Sequence, residues 1–248
     1  MDVQQKRRGF KELHQQGFFI LPNPWDIGSA KYLEKRGFKA LASTSYGAAL
    51  ALGREDGELT RDEVVEHLRV LCASTPLPVN ADFEAGFGDT PQEIAASVRM
   101  AIDAGVAGLS IEDARNRIVL DKSEAIERLR AAREAIDKSG EEVILVGRAE
   151  GFLRGRPDLN DVIDRLVAYS ENGADCLYAP ALADIQQVRA VVQAVAPKPV
   201  NVLLRAPFFI EELARAGVRR VSTGGALAHR AYAALEQAAD ELLAFSTK

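Results

Sequence analysis

Apolar and polar positions along this chain follow two periods that replace one another in turn. Short apolar runs rich in β-formers read as buried strands: Phe18–Pro22, Ala40–Thr44, Val79–Phe83, Gly108–Ile111, Val143–Val146, Cys176–Tyr178, Pro199–Leu203 and Arg219–Ser222. Between them lie segments with helical spacing: Ser29–Arg36, Thr60–Ser74, a helix opened by Thr90-Pro91-Gln92-Glu93, Ser123–Lys138, Leu159–Asn172, Ala183–Ala196 and Phe208–Ala216. A final helix runs from Arg230 to Phe245. Thr60-Arg61-Asp62-Glu63 has the spacing of a capping box, and Pro91 sits where a first-turn proline belongs. Gly105, Gly173 and Gly217 each stand just past a helix end and just before a strand, as an αβ loop requires. Eight strands, each followed by a helix, predict a closed (β/α)8 barrel of the TIM type, one domain over residues 1–248. The rival, a doubly wound open sheet, wants a glycine-rich first βα turn, and the first turn here is Asn23-Pro24-Trp25-Asp26.

Composition narrows the function more than the fold. An apolar fraction of 47% and a charged fraction of 27% are those of an ordinary globular protein, and no Pro/Ser-rich linker or low-complexity tract divides the chain. A net charge of -5, with basic residues scattered among acids, argues against a nucleic-acid partner. No apolar stretch is long enough for a membrane span, and the charges of Met1–Arg8 have no apolar segment behind them, so a secretory signal is not expected. Cys72 and Cys176 lack metal-ligand spacing and read as buried thiols in a reducing compartment, the cytoplasm.

The chemistry collects where strands end. Asp82-Phe83-Glu84-Ala85-Gly86-Phe87-Gly88 follows one apolar run, and Ile111-Glu112-Asp113 closes another. In a barrel such ends form the catalytic rim, so Asp82, Glu84 and Glu112 converge on one volume if their strands are neighbours. Three crowded carboxylates repel unless a cation sits among them, and hard oxygen ligands suit Mg²⁺, with Mn²⁺ as the alternative. The plainer reading is that each acid caps the helix after it. The same rim carries Asn23, Ser43 to Tyr46, Arg148, Glu150, Tyr178, Asn201, Arg205 and Thr223, which suits a small anionic carboxylate substrate bound through a metal.

These residues resemble the isocitrate lyase / phosphoenolpyruvate mutase superfamily from about Leu21 to Gly225. The resemblance rests on Asn23-Pro24-Trp25-Asp26 with Ser29-Ala30, Ser43-Thr44-Ser45, the acid-x-acid-x-Gly-aromatic-Gly element at Asp82–Gly88, Ile111-Glu112-Asp113 and Gly147–Phe152. It implies that Asp82 is a direct Mg²⁺ ligand, with Glu84 and Glu112 holding the metal's water shell. It also implies that Thr44, Ser45 and Tyr46 clamp a substrate carboxylate, and that Arg148 binds an anionic end of the substrate. Asn201 joins the substrate-binding set, and Asp56 falls on another acid near the metal. Each has a structural alternative: Arg148 as an ion pair with Glu150, Thr44 and Ser45 as turn hydroxyls, Asp56 as a loop acid. The implied reaction is cleavage of a C–C bond beside a 2-oxo or 2-hydroxy acid, with the metal stabilising charge on the enolate oxygen. Homodimers or homotetramers are implied as well.

The departures from the family pattern matter equally. Where its C–C lyases carry a Lys-x-Cys-Gly-His type loop, this chain reads Ala114–Lys122 without Cys, Gly or His. After the sixth strand Ala181 stands where lyases tend to have glutamate. Classical isocitrate or 2-methylisocitrate cleavage is therefore disfavoured, and an oxaloacetate-like acid suits the simpler machinery. P–C bond chemistry on a phosphonopyruvate-like substrate, by a mutase or hydrolase, and a non-catalytic metabolite-binding barrel remain open.

Overall fold

The structure of the protein, a computed structural model, describes residues 1–246. In chain order its elements are α1 (Val3–Gln15), β1 (Phe19–Leu21), α2 (Ile27–Lys35), β2 (Leu41–Ala42), α3 (Ser45–Ala51), α4 (Arg61–Ser74), β3 (Val79–Asp82) and α5 (Pro91–Asp103). Then come β4 (Gly108–Glu112), β5 (Ala114–Arg115), β6 (Ile118–Val119), α6 (Lys122–Ser139), β7 (Ile144–Arg148), α7 (Leu159–Glu171) and β8 (Cys176–Tyr178). The chain finishes with α8 (Ile185–Val195), β9 (Val200–Leu203), α9 (Ile210–Arg215), β10 (Arg220–Ser222) and α10 (Ala226–Ser246).

Eight parallel strands run in the spatial order β1-β10-β9-β8-β7-β4-β3-β2. Ala42 N donates to Pro22 O at 3.0 Å, which brings β2 beside the exit of β1 and nearly closes the (β/α)8 barrel. All eight strands coincide with the apolar runs of the sequence. The two-residue side-chain period then sorts them into two cores. Leu41, Val79, Ala81, Leu109, Leu145, Leu177, Val202 and Val221 face outward and pack with the apolar stripes of the surrounding helices. Phe19, Leu21, Ala42, Ile144, Val146, Cys176 and Tyr178 fill the inside. The capping boxes at Thr60 and Thr90 are both formed, and both fix where a helix begins. Among the described residues no helix is long and apolar enough to cross a membrane.

The sequence expectation is corrected in three places. The polar N-terminus, read only as lacking a secretory signal, is α1, and it plugs the barrel floor: Phe10 is fully buried and packs edge-on against Phe19. Gly108 leaves the room, since a Cβ there would come 2.7 Å from the Phe10 ring. Polar residues dock α1. Lys6 Nζ donates to Cys72 O and Thr75 O at 2.8 and 2.7 Å, and Arg7 Nη2 and Nε donate to Ile102 O and Val106 O at 2.6 and 3.0 Å. They cap the C-termini of α4 and α5, where cations belong. Second, α3 intervenes between β2 and α4, and α10 starts at Ala226 rather than Arg230. Third, the loop after β4 is a hairpin, β5–β6, turned by Asn116 and Arg117 at φ 50° and 65°.

His14 on α1 gives the fold an acid-sensitive point. Its Nδ1 lies 2.8 Å from Phe10 O and its Nε2 3.2 Å from Arg220 Nη1, so the partners assign the proton to Nδ1 and leave Nε2 to accept. Burial, then the charge of Arg220 and to a lesser degree Arg219, lowers the imidazole from 6.5 to about 3. Between those values the unfolded chain takes a proton that the folded state refuses, so this residue makes stability fall as pH drops through the window. A His14→Gln variant keeps an acceptor near Arg220 and does not titrate. Relative to that variant, the wild type is expected to lose roughly 3 kcal/mol more of its unfolding free energy between pH 7.5 and pH 4, measured by urea titration. An equal loss in both proteins would refute the assignment.

Candidate active site

The C-terminal ends of β3, β4 and β7 stand side by side, with Asp82 paired to Ser110 and Glu112 paired to Arg148 in the ladders. The turn after β3 then does unusual work. Glu84 and Phe87 adopt left-handed backbone, φ 46° and 50°, as does Gly86 at 91°. Gly88 is required by close approach, because a Cβ there would lie 2.7 Å from Ile94 N. This tight turn sets the Glu84 carboxyl beside Asp82 rather than letting α5 carry it away.

Arg148 is the hub. Its Nε donates to Glu150 Oε1 at 2.6 Å and its Nη1 to Asp82 Oδ1 at 3.1 Å, with Glu112 Oε2 at 3.2 Å from the same nitrogen. Its guanidinium carbon stands 5.3 Å from the centre of the Tyr178 ring. Burial opposes its charge, but Glu112, Glu150 and Asp82 outweigh that and hold it protonated. The ion pair with Glu150 therefore exists together with contacts to Asp82 and Glu112. On the other side of Asp82, Oδ2 accepts from Ser45 N at 3.0 Å and from Ser45 Oγ at 3.1 Å, and Ser45 Oγ also reaches Asp56 Oδ1 at 3.0 Å. Asp82 N donates to Ser43 Oγ at 2.8 Å. Ser45, Asp56, Asp82, Glu84, Glu112 and Arg148 are thus brought together.

The other three expected residues all line the inner cavity, each with its own local partners. The Thr44 hydroxyl caps α3, accepting from Gly47 N at 3.3 Å, so its side chain is committed to a turn. Tyr46 lines the cavity with its ring against Gly225, where a Cβ would come within 2.5 Å. Asn201 lies not on the rim but inside the barrel, 1% exposed, accepting from Arg220 Nε at 3.0 Å and donating to Ser222 Oγ at 3.0 Å.

Glu150, already expected on the rim, and Arg154, which no sequence signal marked, complete the site. Glu150 is fully buried between Arg148 and Arg154, whose Nε is 3.0 Å from Glu150 Oε2 without hydrogen-bond alignment. Arg154 Nη2 reaches Glu112 Oε1 at 3.5 Å. Arg154 lies in the short turn after β7, where no periodicity marks it. Beneath them Asp113 accepts from Glu150 N at 2.7 Å, Tyr169 Oη at 2.7 Å and Arg165 Nη1 at 3.1 Å. This buried triad fixes the backbone that carries Glu150.

The electrostatics of the rim suit a cation. Carboxylates outnumber guanidiniums five to two: Asp56, Asp82, Glu84, Glu112 and Glu150 against Arg148 and Arg154. Burial, then the charges of Asp82 and Asp56, push Glu84 up to about 7, and its carboxyl has no hydrogen-bond partner among the described residues. Burial raises Glu112 as well, despite Arg148. Burial leads both shifts, and the neighbouring carboxylates add to it. Among the described residues no three His, Cys, Asp or Glu close into a ligand cage, because Arg148 lies between Asp82 and Glu112. An ion at this rim would be held by one or two carboxylates, and water would fill the rest of its shell.

Two cavities meet at this rim. One, of about 720 Å³, opens under the β5–β6 hairpin between Asp56, Glu84, Arg61 and Arg117. Arg115 at the hairpin base is ion-paired with Asp89. The other, of about 360 Å³, runs from Ser45, Asp82 and Arg148 down into the barrel to Asn80, Asn201 and Arg220.

Comparison with known proteins gives a consistent set of relatives. A family model described as phosphoenolpyruvate phosphomutase matches residues 10–243. An uncharacterized protein of Mycobacterium tuberculosis (strain ATCC 25618 / H37Rv) is 33% identical over 219 residues, covering 87% of this chain and 81% of its own. The 2-methylisocitrate lyase of Escherichia coli (strain K12) is 31% identical over 173 residues, which are 65% of this chain but only 57% of the lyase. Among solved structures, one from Burkholderia cenocepacia J2315, provisionally described as a lyase/mutase, superimposes with a TM-score of 0.93 at 43% identity, covering 97% of this chain and 89% of that one.

Proposed function

The chain belongs to the phosphoenolpyruvate mutase / isocitrate lyase superfamily, and from that premise we propose that it is a Mg²⁺-dependent lyase breaking a C–C bond in a small 2-oxo or 2-hydroxy dicarboxylate. The observation that carries this reading is the acid set Asp56, Asp82, Glu84 and Glu112 gathered around Arg148 at the C-terminal rim. Asp82 would hold the metal, with Glu84 and Glu112 accepting from its waters; Mn²⁺ could serve in its place. When bound there, the ion supplies a Lewis acid that stabilises negative charge developing on a substrate oxygen.

The protein's own residues do the rest. Arg148, fixed by Glu150, offers its outward edge to an acid group of the substrate. Ser45 and Tyr46, beside the capping Thr44, line the wall against which that group lies. Asp56, through Ser45 Oγ, is placed to hold or pass a proton at the rim. The 2-methylisocitrate lyase relative supports C–C cleavage. The Ala114–Lys122 hairpin, without the lyase cysteine, supports a smaller acid such as oxaloacetate over an isocitrate. The exposed Leu235, Leu242 and Phe245 on α10 support self-association as a homodimer or homotetramer.

One observation favours P–C chemistry as a second reading: Arg61, Arg115, Arg117 and Arg154 all line the outer cavity, and a phosphonate needs cationic partners. A coupled assay for pyruvate with Mg²⁺ separates the readings. It would use oxaloacetate, 2-methylisocitrate, other 2-substituted malates and phosphonopyruvate. Pyruvate from a C–C substrate is the expected result. Pyruvate and phosphate from phosphonopyruvate alone would shift the assignment to hydrolysis of a P–C bond. Phosphoenolpyruvate from phosphonopyruvate, read by adding pyruvate kinase and ADP, would assign a mutase, and oxalate from oxaloacetate would assign C–C hydrolysis. Silence in all three readouts, with protein folded and Mg²⁺ bound, would leave a metabolite-binding barrel.

A further inference from the structure

The barrel interior holds a buried cation without an anion. Arg220 is 2% exposed, and no carboxylate pairs with it among the described residues. Its neighbours are neutral: Nε donates to Asn201 Oδ1 at 3.0 Å, while Nη1 lies 3.3 Å from Asn80 Oδ1 and 3.2 Å from His14 Nε2. Its Nη2 has no partner among the described residues, and the side chain lines the inner cavity of about 360 Å³. Leaving a guanidinium buried and unpaired is costly, because desolvation of a charge is recovered only by an opposite charge or a full set of hydrogen bonds.

The same cavity reaches Arg148 at the rim. Arg148 contacts Asp82 and Arg220 contacts Asn80, two residues lower on β3, so the two contacts are about 7 Å apart along the strand. Between them the walls are mostly small or hydroxylic, with Ser110, Ser222 and Tyr178 facing the space. We propose that Arg220 is the floor of an anion subsite, so that the pocket takes an elongated dianion with one acid group at Arg148 and the other at Arg220. This deepens the lyase reading and rests on it for the rim end alone. Asn80, Asn201 and neutral His14 are positioning residues: they hold the guanidinium by its Nε and Nη1 edge and leave Nη2 for the ligand. The floor selects for length and charge, which the rim by itself does not.

Succinate and butyrate test this, since they share a carbon count and differ in the second carboxylate. Calorimetric titration of the full chain with Mg²⁺ present is expected to show succinate binding at least tenfold tighter than butyrate. In Arg220→Gln that preference is expected to shrink to within twofold, with butyrate affinity unchanged. No preference in the wild type, or a preference that survives Arg220→Gln, would overturn the proposal. Should the variant fail to fold, the wild-type crystal structure with succinate decides. A carboxylate within hydrogen-bond distance of Arg220 supports the floor, and both carboxylates at the rim refute it. An Arg148→Gln control keeps the two readings apart. If it leaves both acids bound as before while Arg220→Gln abolishes the preference, the rim assignment falls and the floor stands.

Discussion

Asp82→Ala is expected to lower kcat at least a thousandfold and to abolish measurable Mg²⁺ binding, while shifting the melting temperature by only a few degrees. The side chain accepts from Ser45 N, Ser45 Oγ and Arg148 Nη1, so its loss frees donors on two sides of the site. Ser45 is partly exposed and can turn to water, and Arg148 keeps Glu150 and Glu112, so no buried charge is stranded. Removing one acid also relieves its repulsion of Glu84 and Glu112. Stability is therefore nearly neutral. Activity is not, because Asp82 is the acid proposed to hold the ion, and a thousandfold corresponds to about 4 kcal/mol of barrier. Initial rates on the best acid of the pyruvate panel, with a calorimetric Mg²⁺ titration, check it. Activity within tenfold of wild type would remove Asp82 from the metal site.

The largest loss of stability belongs to a residue that touches no substrate. Asp113→Ala is expected to cost about 3–5 kcal/mol, because buried Arg165 would keep only the partly exposed Asp161 as counter-charge while Glu150 N and the Tyr169 hydroxyl lose their buried acceptor. For a chain of this size that is a fall of roughly 10 °C in melting temperature. Tyr169→Phe deletes only one hydrogen bond to the same carboxylate and should cost about 1 kcal/mol. Activity should fall in Asp113→Ala even where the protein remains folded, since Asp113 Oδ1 fixes Glu150 N and, through Glu150, Arg148. Thermal melts and kcat measured well below the transition separate the two effects. A melting temperature within 2 °C of wild type would show that Arg165 is satisfied without Asp113.

The barrel was legible in the sequence because its strands are short runs rich in β-formers and its helices carry capping boxes and terminal glycines, signals that need no tertiary knowledge. The element α1 was not. Its docking residues are Lys6 and Arg7, whose burial depends on distant carbonyls, so its polar face hides its role. Small residues left Ser45–Ala51 without a hydrophobic stripe, and α3 went unseen for that reason. In the site, Asp82, Glu84, Glu112 and Arg148 could be named because strand ends in a barrel share one rim. Arg154 could not, since it sits in a turn. Arg220 could have been found: the two-residue period of Arg219–Ser222 places Arg220 and Ser222 on the inner face, and an inward arginine asks for an explanation.

The left-handed backbone at Glu84 has a consequence for how this sequence could change over generations. A residue with a Cβ held at φ 46° costs on the order of 1 kcal/mol that glycine would not. A lineage selected only for hardiness would therefore gain from Glu84→Gly, and its members would lose the acid that leans against Asp82. At this turn the route to a tougher fold and the route to a working enzyme lead apart.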